Sequence, residues 1–288
     1  MKSIRLIYPQ WQGGEISAYF EDLNEKQSSQ GYILGARILD LLMKKRKNVQ
    51  NIYLPISTKF KREIKDGIID KKIILHQTKK VAKLVKKSKA DKILSLGGEC
   101  SISIVPFLYL AKKYGSDDVC VIYLDSHPDI GLPYDDFYQG YHAMAVSMLL
   151  GYGDEELLSV IKNKKDFIRP ENLLLVGLNS KEEKHYKQRQ NDFNLKSINA
   201  SEYNEKAVIS WLDSISATKL LIHFDLDVLD KDELYIAVGN TGKMKITQII
   251  SLLKIASRKK RLVGLSVAEC LPRDLIKLQN LLANLPSF

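Results

Sequence analysis

The sequence predicts an α/β protein with a mostly parallel sheet covered by helices on both faces. Short apolar, β-branched runs recur along the chain, longer stretches of helical period separate them, and the alternation continues from end to end. No Pro/Ser-rich linker, low-complexity tract or internal repeat interrupts it, so residues 1–288 read as a single domain.

In chain order, residues 4–8 form the first apolar run, and residues 32–45 follow with helical spacing. A second strand is expected over 51–54. Between 79 and 89, lysines alternate with Val81, Ala82, Leu84 and Val85, the pattern of an amphipathic helix with a solvated face. Strands over 92–96 and 119–124 flank a helix over 102–114, and a further helix is expected over 144–150. The pattern then repeats: a strand at 173–178, a helix at 205–214, a strand at 220–224, a helix at 246–257 and a seventh strand at 262–267.

Composition excludes the unusual classes. With 45% hydrophobic and 27% charged residues, 16 Gly and 8 Pro, this is ordinary globular material that can bury a core. Cys100, Cys120 and Cys270 are too few and too scattered for a disulfide framework and read as free thiols in a reducing cytosol. Pro9 ends the first apolar run before a secretory signal would be complete, and no run approaches the ~18 apolar residues of a membrane span. A cytoplasmic protein with no membrane partner is therefore expected. The formal charge of +10 invites a nucleic-acid reading, with Lys44, Lys45, Arg46 and Lys47 together and a second group from Lys79 to Lys89. Those lysines lack the interleaved aromatic residues that stack bases, so no nucleic-acid partner is expected.

In an open α/β sheet, ligands lie outside the carboxyl ends of the strands, so the residues just after each apolar run carry the functional reading. Four such loops hold an acid or thiol: Gly97-Gly98-Glu99-Cys100-Ser101, Asp125-Ser126-His127-Pro128-Asp129, Asp225-Leu226-Asp227-Val228-Leu229-Asp230 and Glu269-Cys270-Leu271-Pro272. In extended backbone, residues two apart point the same way, so Asp125, His127 and Asp129 can converge, as can Asp225 and Asp227. Carboxylates crowded at one edge repel one another, and divalent cations would hold them ionised. A carboxylate-rich set with an imidazole suits harder ions such as manganese. Each motif alone reads as well as a capped turn or a helix start; together, on successive strand ends, they favour a metal site.

The Asp125–Asp129 and Phe224–Asp230 stretches resemble the two signature metal motifs of the arginase and agmatinase (ureohydrolase) family. Gly97-Gly98-Glu99-Cys100-Ser101 occupies the place of that family's Gly-Gly-Asp-His-Ser. Tyr141-His142-Ala143-Met144 is similar to the segment carrying its proton-shuttling histidine, and Glu269 falls where a glutamate binds the guanidinium. The resemblance implies a three-layer α/β/α fold with about eight strands and two divalent metal ions. It also implies the ligand set: Asp125 and Asp225 bridging, Cys100 and Asp129 completing one metal, His127 and Asp227 the other. A metal-bridging hydroxide would attack the carbon of a linear guanidine or amidine, breaking a C–N bond. Asp129 would orient that hydroxide, Glu269 would hold the cationic nitrogens and His142 would deliver a proton to the leaving amine. Trimers or hexamers are common in the family, which implies a homo-oligomer.

The sequence also departs from the family. Cys100 replaces a metal-binding histidine. It is either a ligand that shifts preference towards nickel, iron or zinc, or a small buried residue behind the Gly-Gly turn. The stretches Tyr8-Pro9-Gln10-Trp11-Gln12-Gly13-Gly14 and Glu269-Cys270-Leu271-Pro272 resemble a less characterised arginase-like branch with Gly-Gly-x-Cys-Ser. Gly131, Tyr138 and Gly140 stand where arginases read the substrate's α-carboxylate, so a substrate other than arginine is expected. Tyr134, Phe137, Tyr138 and Tyr141 shape an aromatic mouth or pack the loop. Residues 232–245 differ from the family's Pro- and Gly-rich loop. His223 replaces a usual serine, as a partner of a ligand or a satisfied strand-end histidine. His185 and His76 are expected at the surface. The alternative reading is a catalytically inactive arginase-like protein that binds a metabolite or partner.

Overall fold

In the computed structural model, which describes residues 1–161, 164–179, 184–236 and 241–286, the apolar runs become strands whose alternate residues enter two separate cores. The strands are β1 (Ser3–Tyr8), β2 (Val49–Tyr53), the arms of a small antiparallel hairpin, β3 (Ile64–Lys65) and β4 (Ile68–Ile69), then β5 (Lys92–Gly97), β6 (Val119–Leu124), β7 (Leu173–Leu178), β8 (Lys196–Asn199), β9 (Lys219–Asp225) and β10 (Arg261–Ala268). Strand β6 shows the logic: Val119, Val121 and Tyr123 face one core, and Cys120, Ile122 and Leu124 face the other. Helices Lys71–Ser88, Ile104–Tyr114 and Ala145–Leu150 cover the first face. Gly31–Leu42, Glu205–Ser214, Ile246–Lys259 and Leu275–Ala283 cover the second, giving the three-layer α/β/α arrangement.

The eight-stranded sheet has the order β2-β1-β5-β10-β9-β6-β7-β8, and its strand pairs are parallel. The chain leaves the middle of the sheet in one direction through β2 and in the other through β7 and β8. It then fills the middle with β9 and β10. The carboxyl ends of β5, β10, β9 and β6 therefore lie side by side, and the four acid- or thiol-bearing loops follow directly from them.

Seven of these strands lie where the apolar pattern puts them, within about two residues at their ends, as expected of pattern-based boundaries. Strand β8 carried no such signal because it is a partly exposed edge strand, Lys-Ser-Ile-Asn, with no apolar run. The helix expected over 32–45 ends at Leu42. Buried Arg5 of β1 accounts for the stop: its guanidinium donates to the carbonyls of Asp40 (2.7 Å) and Met43 (3.2 Å), and pairs with the Asp40 carboxylate at 2.9 Å. Among the described residues, no helix is long and apolar enough to cross a membrane.

Gly35 fixes how closely helix Gly31–Leu42 lies against the turn after β10. A Cβ there would sit 1.6 Å from the Cys270 carbonyl oxygen. Alanine would gain about 1 kcal/mol of helix propensity, but relieving a backbone clash costs on the order of 2–3 kcal/mol. Gly35→Ala is therefore expected to lower the urea-unfolding midpoint despite its better helix former. A raised midpoint would contradict this packing.

Candidate metal centre

Sequence distance is closed at the Gly-Gly turn. Gly98 passes the N-terminal segment so tightly that a Cβ would lie 1.7 Å from the Gln10 carbonyl oxygen. The Gly98 N–H donates to Tyr8 O (3.1 Å), the Glu99 N–H to Gln10 O (3.0 Å) and the Glu269 N–H to Gly98 O (2.8 Å). The turn thus ties the ends of β1, β5 and β10 together. The Glu99 side chain turns back into the protein and accepts from the Gln10 amide (2.8 Å), the Ser101 N–H (2.7 Å) and the Ser101 hydroxyl (2.8 Å). Burial pushes its carboxyl up to about 7. Glu99 therefore braces the turn, and Cys100 is the residue that faces the neighbouring loops.

On the first face of the sheet, Asp125 continues the row of Val121 and Tyr123, and Asp225 continues the row of Leu221 and His223. The carboxylates of Asp125 and Asp225 each accept from the backbone N–H two residues on, both at 2.7 Å, which fixes the loops' first turns. Cys100 Sγ lies 3.0 Å from Asp225 Oδ2 and 3.9 Å from Asp125 Oδ2. His127 Nδ1 lies 3.0 Å from Asp227 Oδ2 and 3.5 Å from Asp125 Oδ1. Asp227 Oδ1 accepts from the Ser126 hydroxyl at 2.8 Å, and that hydroxyl contacts Thr241 at the same distance.

Two groups of donors share Asp125. Asp125, His127 and Asp227 form one; Cys100, Asp125, His223 and Asp225 form the other; within each, one donor atom per residue lies within 4.8 Å of the rest. Asp129 stands outside both and accepts from the Tyr123 hydroxyl at 2.7 Å, on a backbone held at φ 49°. A left-handed non-glycine residue is strained; Glu269, at φ 56°, is the other such residue at the centre.

Burial, and then the charges of neighbouring carboxylates, hold Asp125 and Asp225 well above the usual carboxylate range. Burial lifts Asp129 to about 7 against the Tyr123 hydrogen bond, and burial and the Asp225 charge lift Glu269. Asp227 alone is lowered, because its own burial is outweighed by His127 and the Ser126 hydrogen bonds. Desolvation would lower His127, but Asp227 and Asp125 raise it well above the usual imidazole range. Without added positive charge these acids cannot all ionise. Oxygen, nitrogen and sulfur donors sharing one carboxylate fit a pair of divalent cations.

Glu269 and His142 face each other beside this cluster. His142 Nδ1 lies 3.7 Å from Glu269 Oε1, and Cys100 Sγ lies 3.8 Å from the same oxygen. The Tyr138 hydroxyl contacts His142 Nε2 at 2.9 Å, and burial lowers His142 to about 4. Tyr32, buried on helix Gly31–Leu42, donates its hydroxyl to Glu269 Oε2. The His127 side chain is 48% exposed and that of His142 25%, so these two mark the open side.

The residues singled out in the sequence, Cys100, Asp125, His127, Asp129, His142, Asp225, Asp227 and Glu269, all lie at this one edge. Tyr32 carried no signal, since 237 residues separate it from Glu269. Tyr123 was legible in principle: it stands two residues before Asp125 on the same strand face. Around the mouth, Tyr141 is buried, Tyr134 is exposed and Phe137 packs on His185 with ring centroids 3.8 Å apart. The loop from Ile130 to Gly140 is clamped by Arg189, whose guanidinium pairs with both Asp135 oxygens (2.5 and 2.7 Å) and donates to Ile130 O (3.0 Å). His76 is exposed. Of the divergent stretch 232–245, residues 237–240 lie outside the described residues.

A pH dependence follows from these shifts. A carboxyl whose folded pKa is raised contributes stability that is complete below its unfolded value, about 4, and lost as pH rises through the folded value, about 7 for Asp129. Glu99, Asp125, Asp225 and Glu269 act in the same direction and outnumber the groups that oppose them, His142 and His223, whose lowered values add stability as pH rises across this window, and Asp227, which acts below it. In chelator, the urea-unfolding midpoint is expected to fall between about pH 4 and pH 7, and a saturating divalent ion should remove the fall. A midpoint that rises across that window without metal would contradict the electrostatic picture.

Comparison with known proteins identifies the fold and the family. The sequence model of the Arginase family matches residues 40–279. An arginase of Staphylococcus aureus is 30% identical over 144 residues, 48% of this chain and 46% of that protein, so the chain spans about half the length of such curated relatives. The crystal structure of Entamoeba histolytica arginase in complex with L-ornithine superposes with a TM-score of 0.80 at 16% identity, covering 98% of this chain and 96% of that one. A putative agmatinase from Clostridium difficile gives 0.62 at 15% identity, covering 98% and 92%. At such identities the structural likeness establishes the fold, and the match across residues 40–279 establishes that this chain belongs to the arginase family.

Proposed function

We propose that this chain is a metal-dependent hydrolase that cleaves a C–N bond in a linear guanidine or amidine other than arginine, using two divalent ions held at the ends of β5, β6 and β9. The observation that carries the reading is the pair of donor groups sharing Asp125, set beside an acid-imidazole pair, Glu269 and His142. When bound, the ions would supply Lewis acidity, lowering the pKa of water and offsetting negative charge as oxygen adds to carbon.

The protein's own groups do the rest. Glu269 accepts from the substrate's cationic nitrogens, and the Tyr32 hydroxyl on its other oxygen fixes the carboxylate's orientation. Burial and the Asp225 charge raise the Glu269 carboxyl, so a cationic substrate would favour its ionised form. The Tyr138 hydroxyl occupies His142 Nε2, so Nδ1 faces the reacting groups. With its pKa lowered to about 4, His142 enters the cycle neutral. It takes up the proton that water loses and delivers it to the departing nitrogen, so C–O forms, C–N breaks and the nitrogen leaves as a neutral amine, while the proton left on the added oxygen is lost to solvent as the carbonyl forms. Asp129, held by Tyr123, orients the water from the side.

The substrate preference rests on the loop after Asp129. The Tyr138 hydroxyl is committed to His142, and its ring fills the space at Gly140, where a Cβ would lie 2.3 Å from that hydroxyl. At Gly131 a Cβ would lie 2.9 Å from Ala143 O. These positions therefore offer no free hydroxyl or amide to an α-carboxylate.

Protein loaded anaerobically with manganese, nickel, iron or zinc would be screened for urea or amide release across guanidines and amidines, arginine included. Turnover of a non-arginine guanidine or amidine, abolished in Asp125→Ala and Asp227→Ala, is the expected result. Arginine as the best substrate would overturn the specificity, and full activity in either variant would overturn the centre. His142→Ala is expected to lower kcat by about 10²–10⁴ while KM changes little. An unchanged kcat would remove His142 from the proton path.

A further inference from the structure

We propose that His223 is a metal ligand: its Nε2 supplies the imidazole of the position that Cys100, Asp125 and Asp225 surround. This makes a sulfur-, nitrogen- and carboxylate-lined position next to the harder one formed by Asp125, His127 and Asp227. The inference rests on the two-ion reading above, but not on turnover.

Three observations carry it. His223 lies on β9 two residues before Asp225, on the same face of the strand, and one of its ring nitrogens comes within 4.8 Å of donor atoms of Cys100, Asp125 and Asp225. The ring is fully buried, and Tyr123 stacks on it at 4.1 Å between centroids and 15° between planes. Its two nitrogens differ sharply. Nδ1 contacts the hydroxyls of Ser103 at 2.6 Å and Ser266 at 3.1 Å, and those hydroxyls contact each other at 2.6 Å; among the described residues, Nε2 has no partner.

That asymmetry is what a ligating imidazole requires. The hydroxyl pair can accept the Nδ1 proton, which fixes the tautomer, sets the ring's direction and leaves the Nε2 lone pair free. A histidine present only for packing would have no need to keep one buried nitrogen unpartnered in a ring that lies beside a thiol and two carboxyls. Thiolate and imidazole together also shift this position's preference towards cobalt, zinc, iron or nickel over manganese.

The test uses the whole chain, made metal-free and titrated anaerobically with cobalt(II), read by absorption and by proton NMR of the paramagnetic protein. The expected result is a thiolate-to-cobalt absorption band and hyperfine-shifted resonances from two imidazoles, His127 and His223. His223→Ser should lose one imidazole set and bind its second cobalt more than ~100-fold more weakly, beyond the 10–100-fold typical of a merely orienting partner. Cys100→His/His223→Ser should regain two imidazole sets and lose the thiolate band. One shifted imidazole in the cobalt-loaded wild type would overturn the proposal, whether or not the variants fold; so would unchanged binding in His223→Ser. Two shifted imidazoles in a protein that hydrolyses no guanidine or amidine would keep the ligand and remove the hydrolase reading.

Discussion

The centre of this protein is organised by the cost of burying several acids together, desolvation first and mutual repulsion second. Asp125, Asp129, Asp225, Asp227 and Glu269 are all buried at one edge of the sheet, and all but Asp227 are pushed above the usual carboxylate range. Hydrogen bonds from Tyr123, Tyr32, Ser126 and the local backbone orient these groups but carry no charge. His127 offsets only one of them strongly. Folding must hold the acids together against this cost of burial and crowding, so the surrounding scaffold has to be rigid, and cations should be drawn to the edge.

The rigidity comes from where the strands end. Four parallel strands from distant parts of the sequence finish side by side, and each donor is either on a strand face or within a turn of its end. Close backbone approaches then lock the loops. Gly98 lets the Gly-Gly turn meet Gln10, and Gly35 lets a helix sit on the Cys270 carbonyl and bring Tyr32 to Glu269. Asp129 and Glu269 both have left-handed backbones, the kind of local strain tolerated where side-chain direction is over-determined by the surroundings. The two imidazoles are pushed in opposite directions: burial lowers His142, and Asp227 and Asp125 raise His127.

Much of this was legible in the sequence, for identifiable reasons. Buried parallel strands are apolar on both faces, so β6 and β7 announced themselves, whereas edge strand β8 has one solvated side and no apolar run. The acid-bearing loops were legible because period-two spacing brings Asp125 and His127, or Asp225 and Asp227, to one side. Extending the same period backwards reaches Tyr123 and His223, which sit on that face beneath the acids. Tyr32 had no such cue: its role depends on helix packing across the sheet edge. The open choice at Cys100 was narrowed by geometry, which sets its sulfur 3.0 Å from Asp225 and turns Glu99 away.

The central claim is that this acid-rich edge is built to hold two divalent ions in the two donor groups that share Asp125. Elemental analysis tests it most directly, on reduced protein loaded anaerobically with each candidate metal in turn and then desalted. The account predicts two ions per chain for at least one metal, falling to one or none in Asp225→Ala. Protein that retains no ion under any loading would contradict it.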